Sequence, residues 1–542
     1  MHGTMQDFPL TLQHILWRIE KLFPKKEIVT LRADGVHRYT YGDFVGRVKR
    51  LANVLAGLGI GAGDRVGTIA WNNYRHLELY YAAPCMGAVL HTLNPRLFPE
   101  QLAFIINDAA DRVLFVDETL LPALDRIAGQ IPTVETIVVL SDGGALPEHS
   151  LGELRDYETL LAAAATEYPW PTLDERSAAA LCYTSGTTGN PKGVVYTHRS
   201  QFLHAMTGLQ TSGLSLSEAD KVLPVVPMFH VNSWGLPFAA GMVGATQVFP
   251  DRWAGDGAAL LQLIADEGAT FLAGVPTVWL ALLRQIEETG ATLPTVRTIV
   301  CGGSAAPPAL IMGMARYGLH VVHAWGMTET SPIGTVAHAR SWHTLEEAAA
   351  LTLTQGVPVP GVELRIADIE TGAELPWDGA AFGEVQVRGP WVAAGYYHDA
   401  DTGKLTADGW FRTGDVATIN PDGYMAIVDR TKDVIKSGGE WISSVELENT
   451  LMAHPRVLEA AVIALPHPKW QERPVAFVVL APEARGQIDE AELRAFLGER
   501  VARWWLPDEI RVIESLPKTS VGKFDKKVLR AEAVPLSGDA AK

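Results

Sequence analysis

The sequence predicts an α/β protein with more than one domain, and three observations support this fold class. The chain has 542 residues, which is longer than a single hydrophobic core usually supports. Short apolar segments alternate with longer segments of helical periodicity over most of the chain. Towards the C-terminus this pattern changes to closely spaced strands and then to a mixed segment. Alternating helices and apolar strands favour largely parallel sheets covered by helices.

The alternation begins in the N-terminal part and recurs further along the chain. Segment Arg47–Ile60 has apolar residues at helical spacing, and Gly61 and Gly63 follow it as a stop signal. Four short apolar segments indicate buried strands: Arg65–Trp71, Arg112–Asp117, Ala269–Pro276 and Arg297–Gly303. We therefore expect helix-covered sheets in this part of the chain.

From about Val357 the helical segments become rare and strands predominate. Strand-like segments follow one another at 362–368, 383–389 and 423–429. The charged stretch Asp429–Asp433 marks the predicted domain boundary. A small α+β domain is predicted after it, with the following elements: helices Ser444–Met452 and Asp489–Arg503, and strands Ala460–Ala464 and Pro474–Leu480.

Charge and composition exclude several classes of protein. The formal net charge of -17 argues against a nucleic-acid partner, because an acidic surface repels phosphate backbones. The three cysteines, Cys85, Cys182 and Cys301, form no CxxC pair, which excludes a disulfide scaffold and a zinc cluster of the usual spacing. We expect neither a signal peptide nor an integral membrane segment, since no run of about eighteen apolar residues occurs. These features predict a cytoplasmic protein.

The strongest local signal is the segment Tyr183–Val195, YTSGTTGNPKGVV, which apolar residues flank on both sides. The flanking residues predict a loop between two strands. Its glycines let backbone N–H groups turn towards an anion, its hydroxyls add donors, and Lys192 adds positive charge. The spacing is not that of a Walker A loop. A polar surface loop is the ordinary alternative, but the ordered glycines and Pro191-Lys192-Gly193 favour phosphate binding.

This loop resembles the signature of the adenylate-forming superfamily, which includes acyl-CoA synthetases, luciferases and the adenylation domains of peptide synthetases. Six further segments match the family's motifs in the family's order: Pro227–Gly235, Gly302–Pro307, Trp325–Pro332, Phe411–Asp415, Asp429–Ser443 and Pro517–Lys527. One such motif could arise by chance, but a complete ordered set could not. The N-terminal motifs WNNYRHLELYYA and HTLNPRL resemble those of fatty-acyl and related short-acid CoA ligases.

The resemblance implies an α/β fold of defined architecture. A large N-terminal domain, residues 1–429, would contain two α/β subdomains and a small β-barrel. Residues 430–432 would form a hinge linker, and residues 433–542 a small, mobile α+β domain. Close relatives of the long-chain type also imply a homodimer.

The implied chemistry explains why these residue types are needed. A carboxylate is a poor electrophile, so it first attacks the α-phosphate of ATP to give an acyl-adenylate and pyrophosphate. Coenzyme A then takes the acyl group and AMP leaves. The implied substrates are a carboxylic acid, ATP with Mg²⁺, and coenzyme A. Catalysis of this kind depends on positioning two anions and stabilising negative charge.

The resemblance also assigns roles to individual residues. Lys523 matches the adenylation lysine, which bridges the carboxylate and the α-phosphate. Glu329 resembles the magnesium-binding glutamate, with Thr184 contributing from the loop. Thr328 would approach the α-phosphate, and Asp415 would accept hydrogen bonds from the ribose hydroxyls. The implied ATP-binding set is Thr184, Ser185, Gly186, Thr187, Thr188, Gly189, Lys192, Gly303, His323, Ala324, Trp325, Gly326, Thr328, Asp415, Arg430, Lys432, Lys436 and Trp441.

Several of these residues have ordinary alternatives. Lys432 matches the hinge position, although it and Arg430 could equally be solvated linker charges. Lys436 and Trp441 resemble residues that meet the nucleotide when the small domain closes. Trp325 stands where the motif usually has a tyrosine that stacks on adenine, and an indole can stack there too.

The acyl-binding residues are implied by the same resemblance. Trp234 resembles the tryptophan that closes the acyl tunnel of long-chain acyl-CoA ligases until ATP binds. His230, Val231 and Gly303 complete the implied set. A core tryptophan among apolar neighbours is the ordinary alternative for Trp234.

We therefore predict an acyl-CoA ligase for a medium- or long-chain fatty acid. One alternative is a ligase for a short acid, such as 3-(methylthio)propionate. Another is an adenylating enzyme with a different acceptor, such as a carrier protein or oxygen. A nucleotide-binding sensor that has lost catalysis is a third, which retention of Lys523, Glu329 and Asp415 disfavours.

Overall fold

The chain divides into two compact units in the computed structural model. It describes residues 1, 3–184, 190–399, 403–438, 440–518 and 524–533. Unit 1 comprises Met1–Glu363 and Arg388–Phe411, and unit 2 comprises Leu364–Val387 and Arg412–Lys542. The domain division predicted from the sequence, with a hinge at 430–432, stays a prediction.

The elements confirm an α/β protein. The described strands are β1 (Glu27–Arg32), β2 (Gly35–Thr40), β3 (Arg65–Ile69), β4 (Val89–Thr92), β5 (Val113–Asp117), β6 (Thr136–Leu140), β7 (Leu154–Asp156), β8 (Ala178–Tyr183), β9 (Gly193–Thr197), β10 (Lys221–Pro224), β11 (Thr246–Phe249), β12 (Phe271–Gly274), β13 (Thr298–Cys301), β14 (Val321–Gly326), β15 (Ile333–Val336), β16 (Val357–Pro358), β17 (Glu363–Ala367), β18 (Phe382–Arg388), β19 (Phe411–Ile419), β20 (Met425–Arg430), β21 (Ile435–Ser437), β22 (Glu440–Ile442), β23 (Val457–His467), β24 (Gln471–Leu480) and β25 (Glu509–Val512). The described α-helices are α1 (Leu12–Leu22), α2 (Tyr41–Gly57), α3 (Tyr74–Cys85), α4 (Pro99–Asp108), α5 (Leu121–Asp125), α6 (Tyr157–Ala163), α7 (His198–Leu209), α8 (Leu236–Val243), α9 (Gly257–Glu267), α10 (Pro276–Thr289), α11 (Pro308–Arg316), α12 (Leu345–Leu351), α13 (Ser444–Met452), α14 (Glu490–Gly498) and α15 (Lys526–Glu532).

Unit 1 is built on two large sheets. The first has the strand order β16-β15-β14-β13-β12-β10-β11-β1-β2, and the second has the order β7-β6-β5-β3-β4-β8-β9. The central strands pair in parallel, whereas β2, β9, β15 and β16 pair antiparallel towards the edges. Helices α9, α10 and α11 bury apolar residues on one face of the first sheet. Such burial on sheet faces is the expected reason for the apolar strands in the sequence.

Unit 2 contains almost all of a four-stranded sheet and a second, smaller α+β region. The four-stranded sheet has the order β17-β18-β19-β20. The second sheet has the order β22-β21-β24-β23, with β25 paired in parallel to β24. Helices α13 and α14 bury apolar residues in one core on this sheet, and α15 contributes Leu529 to another. The predicted change from an α/β to a strand-rich and then an α+β pattern is confirmed.

Two predicted helices have other bounds in the structure. Helix α2 ends at Gly57 rather than Ile60, and it begins at Tyr41 rather than Arg47 because Thr40 and Asp43 form a reciprocal capping box at its start. Helix α14 ends at Gly498 instead of continuing to Arg503, consistent with the low helix propensity of glycine. Helix α13, by contrast, has the predicted bounds Ser444–Met452.

Within the described ranges, none of the helices combines the length and the apolar character that crossing a membrane requires. All three cysteines are buried and form no disulfide.

Candidate functional site

The glycine-rich loop joins two paired strands, as predicted. Strands β8 and β9 pair antiparallel up to Tyr183 and Gly193. Beyond them the Thr184 N–H donates to the Lys192 carbonyl at 2.8 Å, and the Lys192 N–H donates to Thr184 Oγ1 at 3.3 Å. The paired strands therefore fix both ends of the loop. Five predicted phosphate-binding residues lie outside the described residues: Ser185, Gly186, Thr187, Thr188 and Gly189.

Glu329 lies in a short 3₁₀ helix, Thr328–Thr330, and is buried rather than exposed. The Tyr396 hydroxyl donates to Glu329 Oε1 at 2.5 Å. The backbone is also held, since the Ala393 N–H donates to the Glu329 carbonyl at 2.7 Å. Burial, together with the adjacent Glu329 carboxylate, raises the pKa of Tyr396 well above its usual value. Tyr396 is therefore a neutral donor that orients the carboxylate.

Tyr396 also connects Glu329 to the loop. The Lys192 ammonium lies 5.0 Å from the centroid of the Tyr396 ring and 3.3 Å from Asp399 Oδ2. We call Thr184, Lys192, Glu329, Tyr396 and Asp399 the loop-end cluster. It combines a cation, hydroxyls and a buried carboxylate, which are the groups needed to bind phosphates and a hard cation.

The strand β14 contains four of the predicted ATP-binding residues. His323 is buried, the Ala306 N–H donates to its Nε2 at 3.4 Å, and burial lowers its pKa to about 4. Trp325 packs its ring against Gly334, where a Cβ would lie 2.5 Å from the indole. At Gly326 a Cβ would overlap the Pro332 carbonyl oxygen at 1.8 Å. Close packing therefore explains the small residue at Gly326.

The predicted acyl-binding segment has an unusual backbone. Residues Val231 to Trp234 all have positive φ, between 46° and 56°, and Gly235 continues the run at 70°. Left-handed conformations cost free energy for residues with a Cβ, so surrounding contacts must hold them. The Ser233 hydroxyl donates to the Val226 carbonyl at 2.8 Å. At Gly235 a Cβ would lie 2.6 Å from His204 Nδ1, so only glycine fits there.

This backbone places the Trp234 indole against the end of strand β13. The Trp234 ring is 3.1 Å from the position of a Cβ on Gly302 and 3.7 Å from one on Gly303. Trp234 is 8% exposed, and His230 precedes the run with its N–H donating to the Pro227 carbonyl at 3.0 Å. The structure places the Trp234 ring next to Gly303, and His230 and Val231 precede Trp234 in the same segment; their role in acyl binding stays a prediction.

A cavity of about 210 Å³ lies further along the same strands. Leu214, Thr298, Val300 and Val322 line it together with the polar residues Ser215, Arg297, His320 and His338. Strand residues alternate between faces, so Thr298 and Val300 share one face of β13, and Ile299 and Cys301 pack into the helix-covered core on the other. The Trp234 ring packs on Gly302, the residue that follows this strand.

The remaining predicted residues belong to unit 2. Asp415 of β19 lies opposite Arg430 of β20, with Arg430 Nε 3.3 Å from Asp415 Oδ1. The Lys436 ammonium pairs with Glu370 and lies 5.1 Å from the Trp441 ring centroid. Lys432 is exposed, and Lys523 lies outside the described residues.

Comparison with known proteins defines the class. The family model described as "AMP-binding enzyme" matches residues 17–397, and the model described as "AMP-binding enzyme C-terminal domain" matches residues 446–523. The chain therefore belongs to the AMP-binding enzyme family, the adenylate-forming superfamily that its motifs resemble. Within it, the chain is an enzyme of the acyl-CoA ligase class, as the following relatives indicate.

The long-chain-fatty-acid–CoA ligase of Thermus thermophilus is 50% identical over 98% of this chain and 97% of the relative. The 3-methylmercaptopropionyl-CoA ligase of Ruegeria lacuscaerulensis is 45% identical over 98% of this chain and 99% of the relative. The crystal structure of the anthranilate CoA ligase AuaEII in complex with anthranoyl-AMP is similar with a TM-score of 0.85, at 28% identity over 97% of this chain and 98% of that chain.

Sequence reasoning missed Tyr396 and Asp399. Both lie far from Lys192 and Glu329 along the chain, so their roles depend on tertiary contacts. The run Tyr396-Tyr397-His398-Asp399, which follows Gly395, was the available signal, because aromatic and acidic residues next to a glycine suit a binding loop.

Proposed function

We propose that this acyl-CoA ligase activates a medium- or long-chain fatty acid. The cavity lined by Leu214, Val300 and Val322 is the observation that supports it. Its volume of about 210 Å³ corresponds to roughly seven water molecules at ~30 Å³ each, far more than the methyl tail of acetate requires. The similarity to a long-chain-fatty-acid–CoA ligase agrees with this assignment.

In the first half-reaction the carboxylate attacks the α-phosphate of ATP and pyrophosphate leaves. Lys192 and Thr184, at the two ends of the glycine-rich loop, bind phosphate oxygens together with Ser185–Gly189. Lys523 bridges the acyl carboxylate and the α-phosphate, so its role is electrostatic. Thr328 approaches the same phosphate, and Tyr396 holds Glu329 in a fixed orientation. Catalysis comes from positioning and from cations.

Magnesium fits the buried carboxylate of Glu329. Mg²⁺ at nucleotide sites takes one or two carboxylates together with phosphate oxygens. Glu329 provides the carboxylate, and Thr184 adds a hydroxyl at the start of the loop. When bound, the ion neutralises charge on the phosphates.

Further residues bind the nucleoside part of ATP. Strand β14 runs close to the adenine at His323, Ala324, Trp325 and Gly326. The Trp325 indole stacks on the base. Asp415 accepts hydrogen bonds from the ribose hydroxyls, and Arg430 orients Asp415 through their contact. Lys432 is the hinge residue, and Lys436 and Trp441 meet the nucleotide in one of the two half-reactions.

A second candidate substrate is 3-(methylthio)propionate. The 45% identity to a 3-methylmercaptopropionyl-CoA ligase favours it. The cavity favours a longer chain instead, because that acid is much smaller than the cavity could hold. We also propose a cytoplasmic homodimer with domains at 1–429 and 433–542 joined by a hinge at 430–432.

ATP-dependent pyrophosphate release tests the proposal on saturated acids from acetate to palmitate and on 3-(methylthio)propionate, each with and without coenzyme A. We expect turnover that requires coenzyme A and is fastest on a medium or long chain. A preference for 3-(methylthio)propionate would contradict the fatty-acid assignment. Pyrophosphate release that ignores coenzyme A would indicate another acceptor.

A substitution of a residue that lines the cavity makes the test specific. Val300→Phe fills the cavity and is expected to move the preferred acid to a shorter chain, whereas Met312→Phe on the exposed surface of α11 should leave the profile unchanged. An unchanged profile in Val300→Phe would show that the acyl chain lies elsewhere.

A further inference from the structure

Four residues around the predicted hinge form a buried ionic cluster within unit 2. Lys526 Nζ lies 2.6 Å from Glu448 Oε1 and donates to Ser444 Oγ at 2.7 Å. The Ser444 N–H donates to Asp429 Oδ2 at 2.6 Å. We call Asp429, Ser444, Glu448 and Lys526 the hinge cluster. It connects strand β20, which leads into residues 430–432, with helices α13 and α15.

The hinge cluster is closed to solvent and satisfied internally. Asp429 is 1% exposed, and the side chains of Lys526 and Glu448 are 13% and 10% exposed. Asp429 Oδ1 also accepts from the Arg430 N–H at 2.7 Å, and Glu448 Oε1 accepts from the Val462 N–H at 2.8 Å. Charge-assisted hydrogen bonds of this length are strong and directional.

A second cation of α15 contacts the other side of the hinge. Arg530 lies one helical turn after Lys526, and its guanidinium is 2.6 Å from Asp433 Oδ1. The same group donates to the Lys432 carbonyl at 3.3 Å. Residues four apart share a helix face, so Lys526 holds α15 against α13 while Arg530 holds it against Lys432 and Asp433.

Helix α15 depends on these contacts for its position. It has 7 residues, too few to be stable alone in water. Leu529 is its buried apolar residue and packs among Leu516, Ile463 and Val475. Phe524 and Ala533, next to the two ends of the helix, are partly buried against the same core, and the ion pairs of Lys526 and Arg530 add polar contacts that help to fix the orientation of α15.

We propose that Lys526 and Arg530 are positioning residues for the adenylation half-reaction. Lys523 precedes Lys526 by three positions along the chain, so the orientation of α15 constrains where Lys523 can reach. The proposal rests on the proposed function, in which Lys523 bridges the carboxylate and the α-phosphate. It assigns to the hinge cluster and Arg530 the task of coupling Lys523 to the hinge.

The test separates the two half-reactions in the full-length enzyme. ATP–pyrophosphate exchange with a saturating acid measures adenylation, and thioester formation from supplied acyl-adenylate and coenzyme A measures the second step. We expect Lys526→Met and Arg530→Met to lower exchange by about 10- to 100-fold, the size of effect that a small misplacement causes. The rate of the second step should change by less than about twofold, which corresponds to much less free energy than the ~1.4 kcal/mol of a tenfold change.

Three controls make the result specific. Lys526→Arg keeps the charge and should restore exchange, whereas Lys527→Met replaces the exposed neighbouring lysine and should have no effect. Lys523→Ala tests the proposed function itself: normal exchange in that variant would overturn the role of Lys523, independently of α15. Equal losses in both half-reactions would overturn the positioning role. An exchange rate in Lys526→Met equal to that in Lys527→Met would overturn it as well.

The double variant Glu448→Leu/Lys526→Met guards against simple misfolding. It removes both members of the Lys526–Glu448 ion pair, and Asp429 keeps its hydrogen bonds from the Arg430 and Ser444 N–H groups. If it is as stable as the wild type but still slow in exchange, positioning is supported. Wild-type exchange in a stable double variant would overturn it.

Discussion

The loop-end cluster of unit 1 and the hinge cluster of unit 2 both combine carboxylates with a lysine, yet they differ in how much charge faces solvent. In the loop-end cluster the side chains of Lys192 and Asp399 are 44% and 50% exposed. In the hinge cluster Lys526 and its carboxylate partners are nearly buried. The first can exchange an internal partner for a ligand at small cost, since exposed ion pairs contribute little to stability. The second cannot, because an unpaired buried charge is strongly unfavourable.

The difference separates binding residues from residues that hold the fold. Replacing a member of the loop-end cluster should impair the reaction and leave the free energy of unfolding nearly unchanged. Replacing a member of the hinge cluster should lower both. Three measurements test this distinction and a fourth tests the stability of unit 1 in acid, and they are given from the largest expected effect to the smallest.

The largest effect is expected for Glu329→Gln. The variant keeps the shape and a hydrogen-bond acceptor for Tyr396 but removes the charge that we propose binds the metal. Adenylation measured by ATP–pyrophosphate exchange should fall by about 10²- to 10³-fold, the cost of removing one preorganised electrostatic group. The urea midpoint should stay close to that of the wild type. A large loss of stability with normal exchange would mean that Glu329 is structural.

Lys526→Met should instead destabilise the protein. The substitution leaves Glu448 and Asp429 buried without their cation, and burial already raises the pKa of both carboxyl groups. Breaking such a pair costs about 3 kcal/mol, which equilibrium unfolding in urea would measure. Lys527→Met is the matched control, and it should unfold like the wild type. Equal stability of the two variants would place the hinge cluster in the same class as the loop-end cluster.

Unit 1 should lose stability in acid through its buried histidines. Burial lowers the pKa of His76, His198 and His323 to about 4 and that of His204 to about 3. Their contribution is complete above pH 6.5 and is lost as pH falls towards these values, because the unfolded chain binds protons that the folded chain does not. Each histidine contributes a slope of up to about 1.4 kcal/mol per pH unit.

The measurement is the free energy of unfolding between pH 7 and pH 4, compared with that of His204→Gln. Because glutamine does not titrate, the variant should show a shallower pH dependence below pH 6.5. Parallel curves for the two proteins would contradict the assigned role of His204.

The smallest effect is expected for Tyr396→Phe. It removes a single hydrogen bond from a neutral donor to the charged Glu329 carboxylate, a net contribution of about 1.5 kcal/mol, or roughly tenfold in exchange rate. Steady-state kinetics should show this loss with little change in stability. An effect as large as that of Glu329→Gln would give Tyr396 a direct role in the reaction.

Much of the candidate site could be predicted because its chemistry is local in sequence. Thr184 and Lys192 flank one loop, and the strands on either side are apolar segments of strand length, so the sequence indicated both the loop and its frame. Helix α13 was predicted with its exact bounds because Ser443 caps its start. Helix α14 was predicted too long because the helical pattern continued beyond Gly498.

Other features could not be read from the sequence. Tyr396 donates to Glu329 across 67 positions, and Lys526 pairs with Glu448 across 78. The left-handed run Val231–Gly235 has no propensity signal at all, since valine and tryptophan disfavour that conformation. Packing of Trp234 on Gly302 and of Gly235 on His204, with the hydrogen bond from Ser233 to Val226, stabilises that backbone.

The sequence alone determined the fold class, the order of the motifs and the residue types needed to bind a nucleotide. These properties follow from periodicity, spacing and chemical type, which are local. The tertiary structure decided which carboxylate is oriented by a tyrosine, which lysine faces solvent and which is buried, and which residues line a cavity. Those outcomes depend on contacts between distant segments, and the free energy of each contact exists only once the chain has folded.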